Sequence, residues 1–129
     1  MIRRAPVLLA TCGVAVLLAA CSSAASPPPT SGAGGSGQVI NVQASEFKFE
    51  PAAITATAGK VSFHVRNAGA AEHEFEVIKD GKGIGEIEGL VPGLEKDLTV
   101  DLAPGTYSVE CHLPGHLEQG MKASLTVTQ

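Results

Sequence analysis

From residue 39 onward the chain alternates apolar and polar residues with a period of two. Ile40/Val42/Ala44, Phe47/Phe49, Val61/Phe63/Val65, Phe75/Val77, Leu98/Val100/Leu102, Tyr107/Val109/Cys111 and Ala123/Leu125/Val127 each fall on one side of a short segment. Successive side chains of a strand point to opposite faces, so this period predicts half-buried strands. No stretch sustains the i, i+3, i+4 spacing of an amphipathic helix over three turns. Turn formers separate the runs: Ala58-Gly59, Asn67-Ala68-Gly69, Asp80-Gly81, Pro92-Gly93 and Pro104-Gly105. The pattern predicts an all-β fold, a small antiparallel β-sandwich of seven to eight strands over residues 39–129. A domain of that size buries about two-thirds of its unfolded surface.

The first 38 residues follow a different rule. Arg3 and Arg4 precede an uncharged run from Val7 to Ala20, 14 residues long. That is the length of a signal-peptide core and short of the roughly 20 residues a spanning helix needs. The run ends in Leu18-Ala19-Ala20-Cys21, which resembles the lipobox of bacterial lipoproteins. The resemblance implies cleavage before Cys21 and acylation of that residue, with two or more chains giving a stable anchor. An ordinary secretory peptide cut near Ala20 or Ala25 is the alternative. Cys12 is a poor lipid site, because too little apolar core precedes it. Residues 22–37 contain Pro27-Pro28-Pro29 and Gly32-Ala33-Gly34-Gly35-Ser36-Gly37 without a charge, so residues 21–38 read as a lipidated cysteine and flexible linker. The expected organisation is signal peptide 1–20, tether 21–38 and β-domain 39–129, held on the bacterial cell membrane and facing the periplasm or the exterior.

Composition sharpens this picture. Residues 21–129 carry 7 Lys/Arg against 13 Asp/Glu, a net charge of −6. An acidic surface without a basic stripe excludes nucleic acid as a partner, since phosphate neutralisation needs clustered cations. The hydrophobic fraction of 44% is inflated by the export segment. Of the 3 cysteines, one is assigned to the signal and one to the lipid. No disulfide remains for the domain, and Cys111 is a lone thiol in an exported protein, which calls for an explanation.

The neighbours of Cys111 supply one. His116 stands five residues from Cys111 and five from Met121, the one methionine besides Met1. Pro114-Gly115 and Gly120 let the intervening chain fold back. Thiolate, imidazole and thioether suit copper in both oxidation states, and a His₂Cys set with a weak axial Met is the blue-copper arrangement. Zinc has little use for a thioether. A second imidazole must come from elsewhere, and His73 is the natural donor, between the Gly69-Ala70-Ala71 loop and the Phe75-Glu76-Val77-Ile78 strand.

Cys-x₄-His-x₄-Met after a strand, with an upstream His opening another, resembles the cupredoxins, with the loop spacing of the rusticyanin and sulfocyanin kind. The resemblance covers nearly all of residues 39–129. It implies a Greek-key β-sandwich with one mononuclear type 1 copper ion held by His73, Cys111, His116 and Met121. It departs from the pattern at Glu74, where many blue-copper proteins have the Asn or Ser that ties the two ligand loops together. A second similarity spans Gly85 to Gly93 and Leu98 to Tyr107. It is to the cupredoxin-like domain of periplasmic iron-uptake lipoproteins, where that domain precedes a helical imelysin domain; no such partner domain is expected before Gln129.

Other polar residues carry blander readings. His112 points opposite to Cys111 and is expected at the surface, and four histidines are too few for a trinuclear oxidase centre. His64 shares a face with Ser62 and Arg66 and is expected to be solvated. Glu72, Glu74 and Glu76 form an acidic edge that could steer a basic partner. Leu113, Pro114 and Leu117 would form an apolar rim around His116. Pro114 has no N–H to give the thiolate. The expected function is single-electron transfer with envelope redox proteins. The alternative is copper or iron handling with metal-uptake components, and a degenerate contact domain ranks last. No nucleophile–base pair supports an enzyme, and no small-molecule substrate is expected.

Overall fold

A computed structural model describes residues 37–129. Residues 1–36, with the expected signal peptide, the expected lipidation site Cys21 and nearly all of the expected tether, lie outside the described residues. The described chain forms nine strands: β1 (Gln38–Ser45), β2 (Lys48–Glu50), β3 (Ala53–Thr57), β4 (Gly59–Asn67), β5 (His73–Lys79), β6 (Lys82–Leu90), β7 (Glu95–Leu102), β8 (Gly105–Glu110) and β9 (Lys122–Thr128). They pack as two sheets, a four-stranded one in the order β2-β1-β4-β7 and a five-stranded one in the order β3-β9-β8-β5-β6. The fold is the expected Greek-key β-sandwich.

Two details differ from the sequence expectation. There are nine strands rather than seven or eight, because β3 and β6 carry weak signals. In β3 the inward positions are Ile54 and a small Ala56, and β6 is interrupted by Gly83, Gly85 and Gly89. The sheets are also mixed rather than antiparallel: β1 runs parallel to β4, and β3 parallel to β9. The chain leaves the first sheet after β2 to form β3 in the second, then returns as β4 beside β1. Such parallel partners are joined across the sandwich, and a period-two pattern cannot reveal them.

Phe47, expected beside Phe49 on a strand, instead lies in the turn between β1 and β2 with φ of 61°, and the alternation otherwise places residues as expected. Val42, Ala44, Phe49, Val61, Phe63, Val65, Phe75, Val77, Val109 and Leu125 are all buried between the sheets. Phe75 of β5 meets Phe49 edge-on at 5.6 Å and Phe63 at 5.2 Å, so aromatic contacts bridge the two sheets. Such pairs add about 0.5–1.5 kcal/mol each beyond area burial. The Asp80-Gly81 link between β5 and β6 has φ of 50° and 76°, the left-handed conformation of a two-residue hairpin turn. At the entry to β8, the Tyr107 hydroxyl donates to the Ala103 carbonyl at 2.8 Å. Lys79 lies 4.4 Å above the same ring. These contacts fix the strand that delivers Cys111.

Candidate metal centre

His73 opens β5, and Cys111 directly follows β8, its side chain continuing the inward series Tyr107, Val109. Beyond Cys111 the chain turns twice. The His116 amide donates to the Leu113 carbonyl at 3.0 Å, and the Gly120 amide to the Leu117 carbonyl at 2.9 Å. Gly115 and Gly120 sit at φ of 84° and 93°, which side chains with a Cβ rarely adopt. The loop closes where the Cys111 amide reaches the Met121 carbonyl at 3.2 Å and the Met121 amide reaches the His116 carbonyl at 3.1 Å. The spacing of five and five thus folds into a compact loop at one end of the sandwich.

Three donors converge there. His73 Nδ1 is 3.3 Å from His116 Nδ1, which is 3.4 Å from Cys111 Sγ. One ligand atom from each of the three residues lies within 4.8 Å of the others. His73, Cys111 and Met121 are fully buried, and His116 is half-buried. The sulfur accepts the Glu74 backbone N–H at 3.3 Å. Position 74 therefore ties the loops through its backbone, although its side chain departs from the usual pattern. Burial holds the His73 imidazole below its ordinary proton affinity, reinforced by His116 and opposed by Glu46. A neutral ring keeps a lone pair for a metal. Its Nε2 is buried without a hydrogen-bond partner, so nothing competes through that atom for the orientation of Nδ1. A buried thiol and two facing imidazoles form a donor set of the right chemistry for copper.

The loop that carries His73 is held by polar contacts whose importance the sequence did not reveal. Buried Asn67 donates from Nδ2 to the Ala71 and Leu90 carbonyls, each at 2.7 Å, and accepts the Gly69 amide at 2.8 Å. Its place in an Asn-x-Gly turn was legible, because Asn side chains commonly close such turns on the backbone. Glu46 takes the Ala70 and Ala71 amides at 2.5 and 3.0 Å. Phe47 meets the His116 ring edge-on at 5.3 Å. Nothing in Ser45-Glu46-Phe47-Lys48 announces a turn.

The remaining histidines lie at the surface, as expected. His112 bridges Glu76 and Glu110, at 2.9 Å to each carboxylate. Glu86, Glu76 and Glu110 stand directly opposite one another across β6, β5 and β8. Facing like charges repel, and a bridging imidazole offsets that repulsion. The Glu110 bond, with further charge from Glu76 and Glu74, raises the proton affinity of His112. Of the acidic edge, Glu72 is exposed, while Glu74 and Glu76 are half-buried. Leu113 and Leu117 are half-buried and Pro114 is exposed beside His116.

Residues 10–127 match the family profile described as the cupredoxin-like domain. The chain belongs to the cupredoxin-like family. This cupredoxin-like chain is 33% identical over 91 residues to the iron uptake system component EfeO of Yersinia pestis, across 70% of the chain and 23% of that protein. It therefore spans about a quarter of the curated relative it matches. Among solved structures, dithionite-reduced auracyanin of Roseiflexus castenholzii superposes with a TM-score of 0.67 at 22% identity, covering 74% of this chain and all of that one. Auracyanin A, a blue copper protein of Chloroflexus aurantiacus, gives 0.66 at 21% identity, covering 72% of this chain and all of that one. At these identities the likeness is one of fold.

Proposed function

We propose that this domain binds one mononuclear type 1 copper ion through His73, Cys111 and His116, with Met121 as the axial thioether. It serves as a membrane-tethered carrier of single electrons in the cell envelope. The carrying observation is the convergence of two imidazole nitrogens and one thiol within 4.8 Å on a cupredoxin-like sandwich. Copper bound there would supply a one-electron couple. The chain's part is to hold the donors in fixed positions, exclude water from His73 and Cys111, and leave the half-buried His116 beside Leu113, Pro114 and Leu117 for a partner's approach. The sulfur accepts one backbone N–H and Pro114 has none to give, and sparse hydrogen bonding to a copper thiolate favours a higher potential. The net charge of −6 over residues 21–129 favours a partner with a basic face. Export by residues 1–20, acylation of Cys21 and a tether through residue 38 would keep the domain within reach of membrane-bound partners, and mass spectrometry of the mature N-terminus tests that part. In this reading the protein is not an enzyme.

The test is addition of Cu(II) to the purified protein, with visible and EPR spectra. Thiolate-to-copper charge transfer gives an intense band at ~600 nm, which Cys111→Ser removes. A colourless complex overturns the type 1 assignment.

A second reading rests on the relation to EfeO: copper or iron handling as an accessory of metal uptake. Reversible one-electron voltammetry of the loaded protein supports the carrier. Tight binding with transfer of the ion to an acceptor and no reversible couple supports handling.

A further inference from the structure

The turn between β1 and β2 is built from residues that do not favour turns. Ser45 pairs with Lys48, so Glu46 and Phe47 alone make the connection. Phe47 has φ of 61°, a left-handed conformation that a bulky side chain adopts at a cost and that glycine or asparagine would take easily. Strain of this kind persists where surrounding contacts fix it, and it concentrates at functional sites.

Those contacts run to both loops of the candidate copper centre. The Glu46 carboxylate accepts the Ala70 and Ala71 amides, three and two residues before His73. Hydrogen bonds from these amides lower the proton affinity of Glu46, so the acceptor stays ionised. Gly69 leaves the space the carboxylate occupies: a Cβ there would lie 2.6 Å from Glu46 Oε1. The adjacent Phe47 ring stands perpendicular to the His116 imidazole, at 89° and 5.3 Å between centroids. An edge-on contact of that kind fixes the tilt of the imidazole plane. The left-handed backbone at Phe47 accompanies this divergence of two neighbouring side chains, one toward each loop.

We propose that Glu46-Phe47 is the fastening between the His73 loop and the His116 loop, and that Phe47 is a positioning residue for the His116 imidazole. The turn would take over the work of the Asn or Ser side chain that Glu74 replaces. The inference rests on the copper reading for its purpose, although the fastening itself concerns the metal-free chain.

The experiment uses the full chain with Phe47→Gly, Phe47→Tyr and Glu46→Ala. Glycine accepts the left-handed backbone, which offsets part of the packing that Phe47 gives the core, so Phe47→Gly should fold with a moderately lowered urea midpoint. In the metal-free protein, ¹H–¹⁵N spectra of the imidazoles should show His116 broadened or doubled in Phe47→Gly. The same effect should appear at His73 in Glu46→Ala, and Phe47→Tyr should match the unaltered chain. With Cu(II), Phe47→Gly should bind about tenfold more weakly, the usual scale for loss of a group that orients a metal ligand. Its EPR spectrum should contain more than one species. Unchanged His116 resonances, affinity and EPR in Phe47→Gly would overturn the proposal. If the unaltered chain binds no Cu(II), the copper reading falls, and the metal-free spectra still decide the role of the turn.

Discussion

A buried amide is expensive unless its hydrogen bonds are made, and Asn67 makes three at 2.7–2.8 Å. Through them one side chain joins the end of β4, the loop before His73 and the end of β6. His64 works under opposite conditions, at the surface. Its Nδ1 lies 2.7 Å from Asp97 and its Nε2 lies 3.5 Å from Glu95. The hydrogen bond to Asp97 comes first among the causes that raise its pKa above 6.5. The folded state therefore holds the proton more tightly than the unfolded chain. His64 contributes stability that is complete below pH ~6.5 and fades as pH rises through the folded pKa. The expected result is a urea midpoint for His64→Gln below that of the unaltered chain at pH ~5.5, with the gap closing by pH ~9. A gap independent of pH would show that the imidazole acts through packing alone.

At the scale of elements, the side of the sandwich is closed where β6 of one sheet crosses β7 of the other. Gly85 permits this approach: a Cβ there would lie 2.6 Å from Val100 Cγ1 and 3.2 Å from Leu98 Cδ1. Val100 is β-branched and nearly buried, so it has little room to yield. Gly85→Ala is expected to destabilise the fold by about 1–3 kcal/mol, the usual scale of overpacking. Urea unfolding measures it, and a neutral result would mean that the sheets separate freely at this edge. The same glycine weakens the strand signal of β6 in the sequence. The feature that lets the sheets close is the one that conceals the strand.

For the whole molecule, the donors sit where tertiary structure is already complete. His73 follows a loop pinned by Asn67 and Glu46, and Cys111 follows a strand anchored by Tyr107. A metal held there would be bound by the folded state and lost on unfolding, so metal and fold would stabilise each other. Free Cu(II) at about a hundred times its Kd is expected to add about 2.7 kcal/mol to unfolding, and a chelator should remove it. Scanning calorimetry with and without copper tests this. Cys111→Ser should abolish most of the shift, and an undiminished shift would place copper elsewhere on the molecule.

The sequence alone determined most of the strands, the face each one buries and the hairpin at Asp80-Gly81. These follow from local rules, alternation with period two and the left-handed preference of particular residues. It also made the proposed donor set legible, because Cys111, His116 and Met121 share one short segment and the chain holds few other soft ligands. Tertiary structure alone decided what crosses between distant segments. It paired β1 with β4 in parallel, set Asn67 against Leu90, and brought Glu46 and Phe47 to loops more than twenty residues away. Such contacts carry no periodic trace, since each depends on a single pair of positions and on the geometry of everything between them. Three of the four proposed donors stand in one stretch of chain, whereas the contacts around them come also from the Glu46-Phe47 turn and the loop before His73.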